Sequence, residues 1–377
     1  MKKILAMLLL VSMIFALAAC GEAKPAEPKA EEPAPAAEEP AAEEPAAEEP
    51  AAEEPAAEEP AAEEPAAEEP AAAAAYKLGL GVDVDTDESK TGLAQVDACA
   101  AAVILDAEGK IVAVKIDVAQ SKMDVTDGQV DPEAEFLTKL EKGDAYGMKA
   151  YGNATYEWYE QAAAFEQYCI GKTGEEIAAM ETREDGGHVL TTDEELFATC
   201  SISIDQFQSA VVKACADEQG FSFTAEGEIK LGLGIITKSN DSKPATAEEE
   251  GTVKMYSEFG AVVLDKDGRI LAALTDAIQP QIPIDAAGEI GDIKFEDTKR
   301  VLKEKYGMSN IGAVEWYLQA ANFEQYCIGK TAEELRATET VEDGDHVLFA
   351  DEELRATCSI SIEGMVNVVA KAADNAA

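Results

Sequence analysis

From residue 76 to its end the chain is written twice, so the same local instructions must build the same elements twice. The clearest marker is Ala198-Thr199-Cys200-Ser201-Ile202-Ser203-Ile204, which recurs 158 residues later as Ala356-Thr357-Cys358-Ser359-Ile360-Ser361-Ile362. Each copy follows an acidic Asp-Glu-Glu-Leu and precedes a helix-like segment. Its small and β-branched residues suit a short strand or an extended turn. Around this marker the two copies run over 76–221 and 227–377, two homologous domains joined by the short link Phe221 to Gly227. A link that short keeps the domains close.

Each copy opens on a Gly-rich strand, Leu78-Gly79-Leu80-Gly81 or Leu231-Gly232-Leu233-Gly234. A hairpin follows, with apolar runs flanking Asp106-Ala107-Glu108-Gly109 in one copy and Asp265-Lys266-Asp267-Gly268 in the other. Beyond a variable acidic region come Tyr146-Gly147-Met148 and Tyr306-Gly307-Met308. The best-matched block is then a helix, with Trp158, Ala162, Phe165 and Cys169 at helical spacing on one face. Gly171 suits its C-cap. Thr173-Gly174-Glu175-Glu176 and Thr331-Ala332-Glu333-Glu334 read as capping boxes opening a short helix. Each copy closes on an amphipathic helix, about 205–216 or 363–373. The fold class is therefore α+β, with an antiparallel sheet and about three helices per copy.

The first 75 residues carry a different message. Lys2 and Lys3 precede a largely apolar run from Ile4 to Ala19, the plan of a secretory signal peptide, too short for a permanent span. Leu17-Ala18-Ala19-Cys20 has the form of a bacterial lipobox, which places lipid on Cys20 and the mature chain outside the cytoplasm, anchored to the cell membrane. An ordinary secretory signal with an incidental cysteine is the alternative. From Ala36 to Pro70, Ala-Ala-Glu-Glu-Pro occurs seven times in succession. Proline at every fifth residue forbids a continuous helix, and repelling Glu pairs with nothing apolar to bury predict a disordered, extended spacer. Residues 20–75 reach on the order of 150 Å if extended, enough to carry a domain into or through a wall. The chain holds 76 acidic against 30 basic residues, a net charge of −46, which argues against nucleic acid and anionic lipid as partners.

Six cysteines remain beyond Cys20. Cys169 and Cys200 are separated by 31 residues, as are Cys327 and Cys358, while Cys99 and Cys215 belong to the first copy alone. An exported chain permits disulfides among these, and buried free thiols are the other reading. A thiol–disulfide carrier is a third, without a Cys-x-x-Cys motif to support it.

Ser201 and Ser359 present hydroxyls just ahead of a helix N-terminus, where free backbone N–H groups suit a phosphate. A plain helix cap is the simpler role for each. His188 and His346 follow Asp-Gly turns, with no second ligand at metal spacing. The acidic run Asp83-Val84-Asp85-Thr86-Asp87-Glu88 lacks the ligand spacing of a Ca²⁺ loop. Hydrolase, zinc-protease, P-loop and dinucleotide fingerprints are absent.

Taken together, the Gly-rich opening strand, the Asp-x-x-Gly-Lys-Ile hairpin, the Glu-Trp-x-x-Gln-Ala helix, the Gly-Lys-Thr turn and the hydroxyl-bearing stretch before the last helix resemble the FMN-binding domain. More narrowly, with lipobox and spacer, they resemble the tandem flavoprotein lipoproteins of bacterial extracellular electron transfer. The resemblance covers nearly all of 76–377. In that family FMN is attached through its phosphate to a Thr or Ser in a motif close to Ser-Gly-Ala-Thr. The resemblance implies two FMN-binding-like domains, with covalent FMN at Ser201 and Ser359 and Cys200 and Cys358 at the motif's Ala position. Thr199 and Thr357 stand where the motif has Gly. Trp158, Trp316, Tyr159 and Tyr317 become aromatic neighbours of a flavin, and the core is their alternative. The implied partners are a membrane quinone/dehydrogenase system that donates electrons, a flavin transferase for maturation and an extracellular acceptor. The expected role is a redox carrier. A non-redox extracytoplasmic binding or spacer lipoprotein that keeps the fold without the cofactor is the alternative.

Overall fold

A computed structural model describes residues 74–377. The expected signal peptide, the expected lipidation site Cys20 and the Ala/Glu/Pro repeats lie outside the described residues. The fold is α+β, built on two antiparallel sheets. In the first sheet the strands run in the order Ile111–Asp124, Leu93–Leu105, Ala74–Asp85, Phe221–Ala225. In the second the order is Ile270–Ile278, Tyr256–Leu264, Lys230–Lys238.

The central strand Leu93–Leu105 shows why the sheets sit as they do. It does not alternate apolar with polar, and all but its first residue are buried. Strands covered on both faces read this way. Ala94, Val96, Ala98, Ala100, Ala102 and Ile104 belong to a core shared with Leu231, Phe259, Ala261, Val263 and Leu274 of the second sheet. Cys99, Ala101, Val103 and Leu105 pack instead against the helices Trp158–Cys169 and Asp205–Cys215. In the second copy Val262, Leu264, Ala273 and Ala277 meet the helices Trp316–Cys327 and Glu363–Asp374. The layers are thus helices, sheet, sheet, helices. The two copies share one core, and the described residues fall in one compact unit.

Local expectations are met closely. Thr173 and Thr331 form full capping boxes with Glu176 and Glu334. Gly109 and Gly268 turn the hairpins at φ 77° and 75°, while Asp106 and Asp265 accept backbone N–H groups within each turn. A side chain at Gly79 or Gly232 would collide with the closing helix, at Ala214 O or Ala372 O respectively. The Leu-Gly-Leu-Gly pattern therefore serves helix-on-sheet packing.

One stretch differs from the sequence reading. Phe221–Ala225 is no bare link, because it pairs antiparallel with Ala74–Leu78 and completes the first sheet. Of the two forms expected for the repeated Thr-Cys-Ser-Ile-Ser-Ile stretch, the structure has the extended turn; its closing residues Ile204 and Ile362 donate to Val189 O and Val347 O.

The copies are also locked by a buried charge cluster. Arg300 of the second copy is 4% exposed, and its Nη1 donates to Glu324 Oε1 at 3.0 Å. Its Nη2 reaches across to the first copy, to Gln219 O at 2.5 Å and Asp217 Oδ2 at 3.5 Å. Gln219 Nε2 returns a bond to Arg300 O at 2.9 Å.

Candidate functional site

The extended turn is held from below by a glutamine. Gln161, on the helix Trp158–Cys169, is 1% exposed, and its Nε2 donates to Tyr156 O. That bond leaves Oε1 facing the turn, where it accepts both the backbone N–H of Ser201 at 2.9 Å and the Ser201 hydroxyl at 3.3 Å. The second copy repeats the clamp, with Gln319 Oε1 accepting from Ser359 N at 2.7 Å and Ser359 Oγ at 3.0 Å. Both serines remain exposed. An amide oxygen orients a hydroxyl but cannot take its proton. His188 lies instead beside Ser203, Nδ1 to Oγ 3.3 Å. Ser201 therefore lacks the adjacent base of a hydrolytic nucleophile and is built as a positioned, accessible hydroxyl.

Ser201 stands at the rim of a cleft of about 460 Å³, within the range of small-molecule sites. Trp158, Tyr146 and Lys139 line it together with Ser203 and His188, and the closing helix adds Asp205 and Gln206. Trp158 is 3% exposed and meets Phe207 edge-on at 5.6 Å, so it is both core and cleft wall. Lys139 Nζ lies 5.2 Å from the Tyr146 ring centroid and 5.5 Å from that of Trp158. The start of the short helix Met148–Gly152 is pinned by the buried Glu157 carboxylate, which accepts Met148 N at 2.9 Å and Lys149 N at 3.2 Å. Glu315 does the same for Met308 and Ser309. Tyr159 and Tyr317 donate to Asp144 and Glu304, and neither is among the cleft's lining residues.

At the floor, the closing helix Asp205–Cys215 begins after Ile204, which has no side chain able to cap it. Its first-turn backbone N–H groups have no side-chain cap, which favours an anion, and Asp205 already places one carboxylate in that turn. Gln206 Nε2 is buried there without a hydrogen-bond partner. A buried donor left orphaned costs about 1–3 kcal/mol, which a ligand oxygen would recover.

The other sequence candidates divide cleanly. Thr199 and Thr357 donate to Leu196 O and Leu354 O, finishing the short helix before the turn. Cys200 and Cys358 point into the core, at 0% and 1% exposure. Burial pushes both thiols up to about 11, against a backbone hydrogen bond from Ile202 or Ile360. The disulfide pairings are not formed: Cys99, Cys169, Cys200, Cys215, Cys327 and Cys358 are all free thiols. Five are buried among apolar side chains, where a sulfhydryl packs as a small hydrophobe and its thiolate is penalised. Among the described cysteines, a thiol reagent at pH 8 should modify Cys215, the least buried, ahead of the other five in the native chain, and all six after denaturation without reductant. Silence of the denatured, unreduced chain would instead reveal disulfides.

Sequence reasoning missed Gln161, Gln206, Lys139 and Glu157. For three of them a signal was present. Glu157 and Gln161 sit in the repeated Glu-Trp-x-x-Gln pattern, and Thr138-Lys139 recurs as Thr298-Lys299 within the variable acidic region.

No family model matches the chain. A chlorophenol reductase of Desulfitobacterium hafniense is 39% identical over 90 residues, covering 20% of this chain and 28% of that protein's length. A solved structure from Bacteroides fragilis, titled as an exported protein with a YmcC-like fold, is 9% identical. It covers 61% of this chain and 97% of that one with a TM-score of 0.13, too low for any inference about the fold.

Proposed function

We propose that the chain is a surface-anchored flavin electron carrier, in which the cleft beside Ser201 holds FMN. The observation that carries this reading is the convergence at one cleft of four features. These are an uncapped helix start, the unpartnered Gln206 amide, the Gln161-clamped hydroxyl of Ser201, and walls of Trp158 and Tyr146. The donors suit a phosphate and the aromatic walls suit a planar ring, so the residues present fit the group. Ser201 would carry the phosphoester, with Lys139, Gln206 and the helix N–H groups around the anion. FMN, when bound, supplies one- and two-electron redox chemistry.

The residues themselves do simpler work. Gln161 holds the hydroxyl outward at the rim, and Glu157 holds the start of the Met148–Gly152 helix at the cleft. A covalent tether would let a shallow cleft suffice, because attachment raises the effective concentration of the group. With no base at Ser201, attachment falls to a separate flavin transferase. A membrane quinone/dehydrogenase system would deliver electrons, and an extracellular acceptor would take them. The partial likeness to a reductase is compatible with redox work but covers too little of either protein to add weight.

The test is an intact mass and visible spectrum of the exported chain made in cells that supply the transferase. An added FMN mass with flavin absorption, abolished by Ser201→Ala, is expected. Flavin that dissociates on denaturation would keep the carrier and remove the tether. A colourless, unmodified chain would favour the non-redox binding or spacer lipoprotein.

A further inference from the structure

The two copies differ at one pair of positions directly under the closing helix. Sheet register equates Cys99 with Glu258: Gly81 pairs with Ala101 and Asp83 with Cys99, as Gly234 pairs with Gly260 and Ile236 with Glu258. The duplicated segments equate Gln206 with Gly364. In the first copy the strand offers a small cysteine and the helix offers Gln206, whose buried amide N–H has no partner. In the second copy the strand offers Glu258, 7% exposed, and the helix has receded to glycine. The fit is tight, since a side chain at Gly364 would collide with both carboxylate oxygens of Glu258. The exchange conserves filling but reverses chemistry, with a donor in one copy and an acceptor in the other. The helix Glu363–Asp374 likewise starts after an isoleucine that cannot cap it. Lys238 and Lys299 are the cations near the Glu258 carboxylate, and Glu363 is the near anion.

We propose that Glu258 is a built-in carboxyl group closing the second copy to a phosphate-bearing ligand, so that the two copies are unequal and only the Ser201 site is open. This rests on the FMN reading of the first cleft, which it deepens by assigning one flavin per chain. Ser359 then keeps its glutamine clamp without carrying a group. Both closing helices carry an acid in the first turn, Asp205 or Glu363; a ligand phosphate in the second copy would meet Glu258 as well, whose acceptor oxygens fill the space where the first copy offers an amide donor.

Two measurements decide it on the full chain. In the matured protein, peptide mapping should find FMN on Ser201 and less than about a tenth as much on Ser359, the scale of one unit of discrimination. The exchange Glu258→Cys with Gly364→Gln should raise Ser359 occupancy towards that of Ser201, and Cys99→Glu with Gln206→Gly should empty Ser201. Equal loading of both serines in the unaltered chain would overturn the proposal. If neither serine carries flavin, the FMN reading fails, and the filling of the site by Glu258 is judged by thermal unfolding of Gly364→Ala. Alanine is the better helix former, so Gly364→Ala should lower the midpoint with Glu258 present and raise it in a Glu258→Ala background. The same change in both backgrounds would overturn it.

Discussion

Arg300→Leu should cost about 3–5 kcal/mol of unfolding free energy, the scale for stripping one partner from a buried ion cluster. Leucine is the residue that the first copy carries at the equivalent place, Leu140, so the backbone accommodates it. What is lost is the guanidinium between Glu324 at 3.0 Å and Asp217 at 3.5 Å, with side chains 4% and 8% exposed. Both carboxylates would be left in a dry site. The loss also removes the Nη2 bond to Gln219 O, one half of the exchange that ties the end of the first copy to the second, and leaves the Gln219 bond to the backbone carbonyl of residue 300. Replacing Arg300 and Glu324 together by leucine should recover a good part of the cost, since an apolar pair leaves less unpaired charge behind. The Arg300 Nε is itself buried without a partner, so the native cluster already carries a penalty. Denaturant unfolding of the three proteins at pH 7.5 decides the matter. A single-variant loss under about 1 kcal/mol would mean that the cluster does not lock the copies.

The second large effect is on pH. Burial pushes Asp117 and Asp276 up to about 6, against backbone hydrogen bonds to each carboxylate, and pushes Glu166 and Glu258 up to about 7. The folded chain therefore holds more protons than the unfolded chain between about pH 4 and 7. Stability from these groups is present below the unfolded values and is lost as pH rises through the folded ones. Asp124 and Glu160 run the other way, through hydrogen bonds from Thr126 and Lys149, but they lie in water and count for little. The described chain is accordingly expected to be several kcal/mol more stable at pH 5.5 than at pH 8. Each buried carboxylate accounts for at most roughly 3 kcal/mol. Glu258→Gln should remove part of that slope and stabilise the protein at pH 8. A stability that climbs from pH 5.5 to pH 8 would contradict this account.

How much of this was legible beforehand differs by distance along the chain. The hairpin turns at Gly109 and Gly268, the capping boxes at Thr173 and Thr331 and the closing helices at 205 and 363 were all readable. Each depends on hydrogen bonds between residues a few positions apart, and the duplication supplied every signal twice. The apolar run that ends at Leu105 reads as one arm of a hairpin, and its burial on both faces emerges only from the packing.

The sequence alone thus determined the elements, their order and their duplication, together with the hydroxyl-bearing turn that both copies preserve. Tertiary structure decided what those elements bury. It set sheet against sheet, so that two copies share one core, and it drew Phe221–Ala225 into the first sheet. It brought Gln161 beneath Ser201 across 40 residues and Glu258 against Gly364 across more than a hundred. It also placed the cysteines among apolar neighbours as free thiols. Local order follows from the backbone's nearest hydrogen-bond partners, which sequence spacing displays. Burial and charge are properties of what arrives from far along the chain, and spacing does not record which residue that will be.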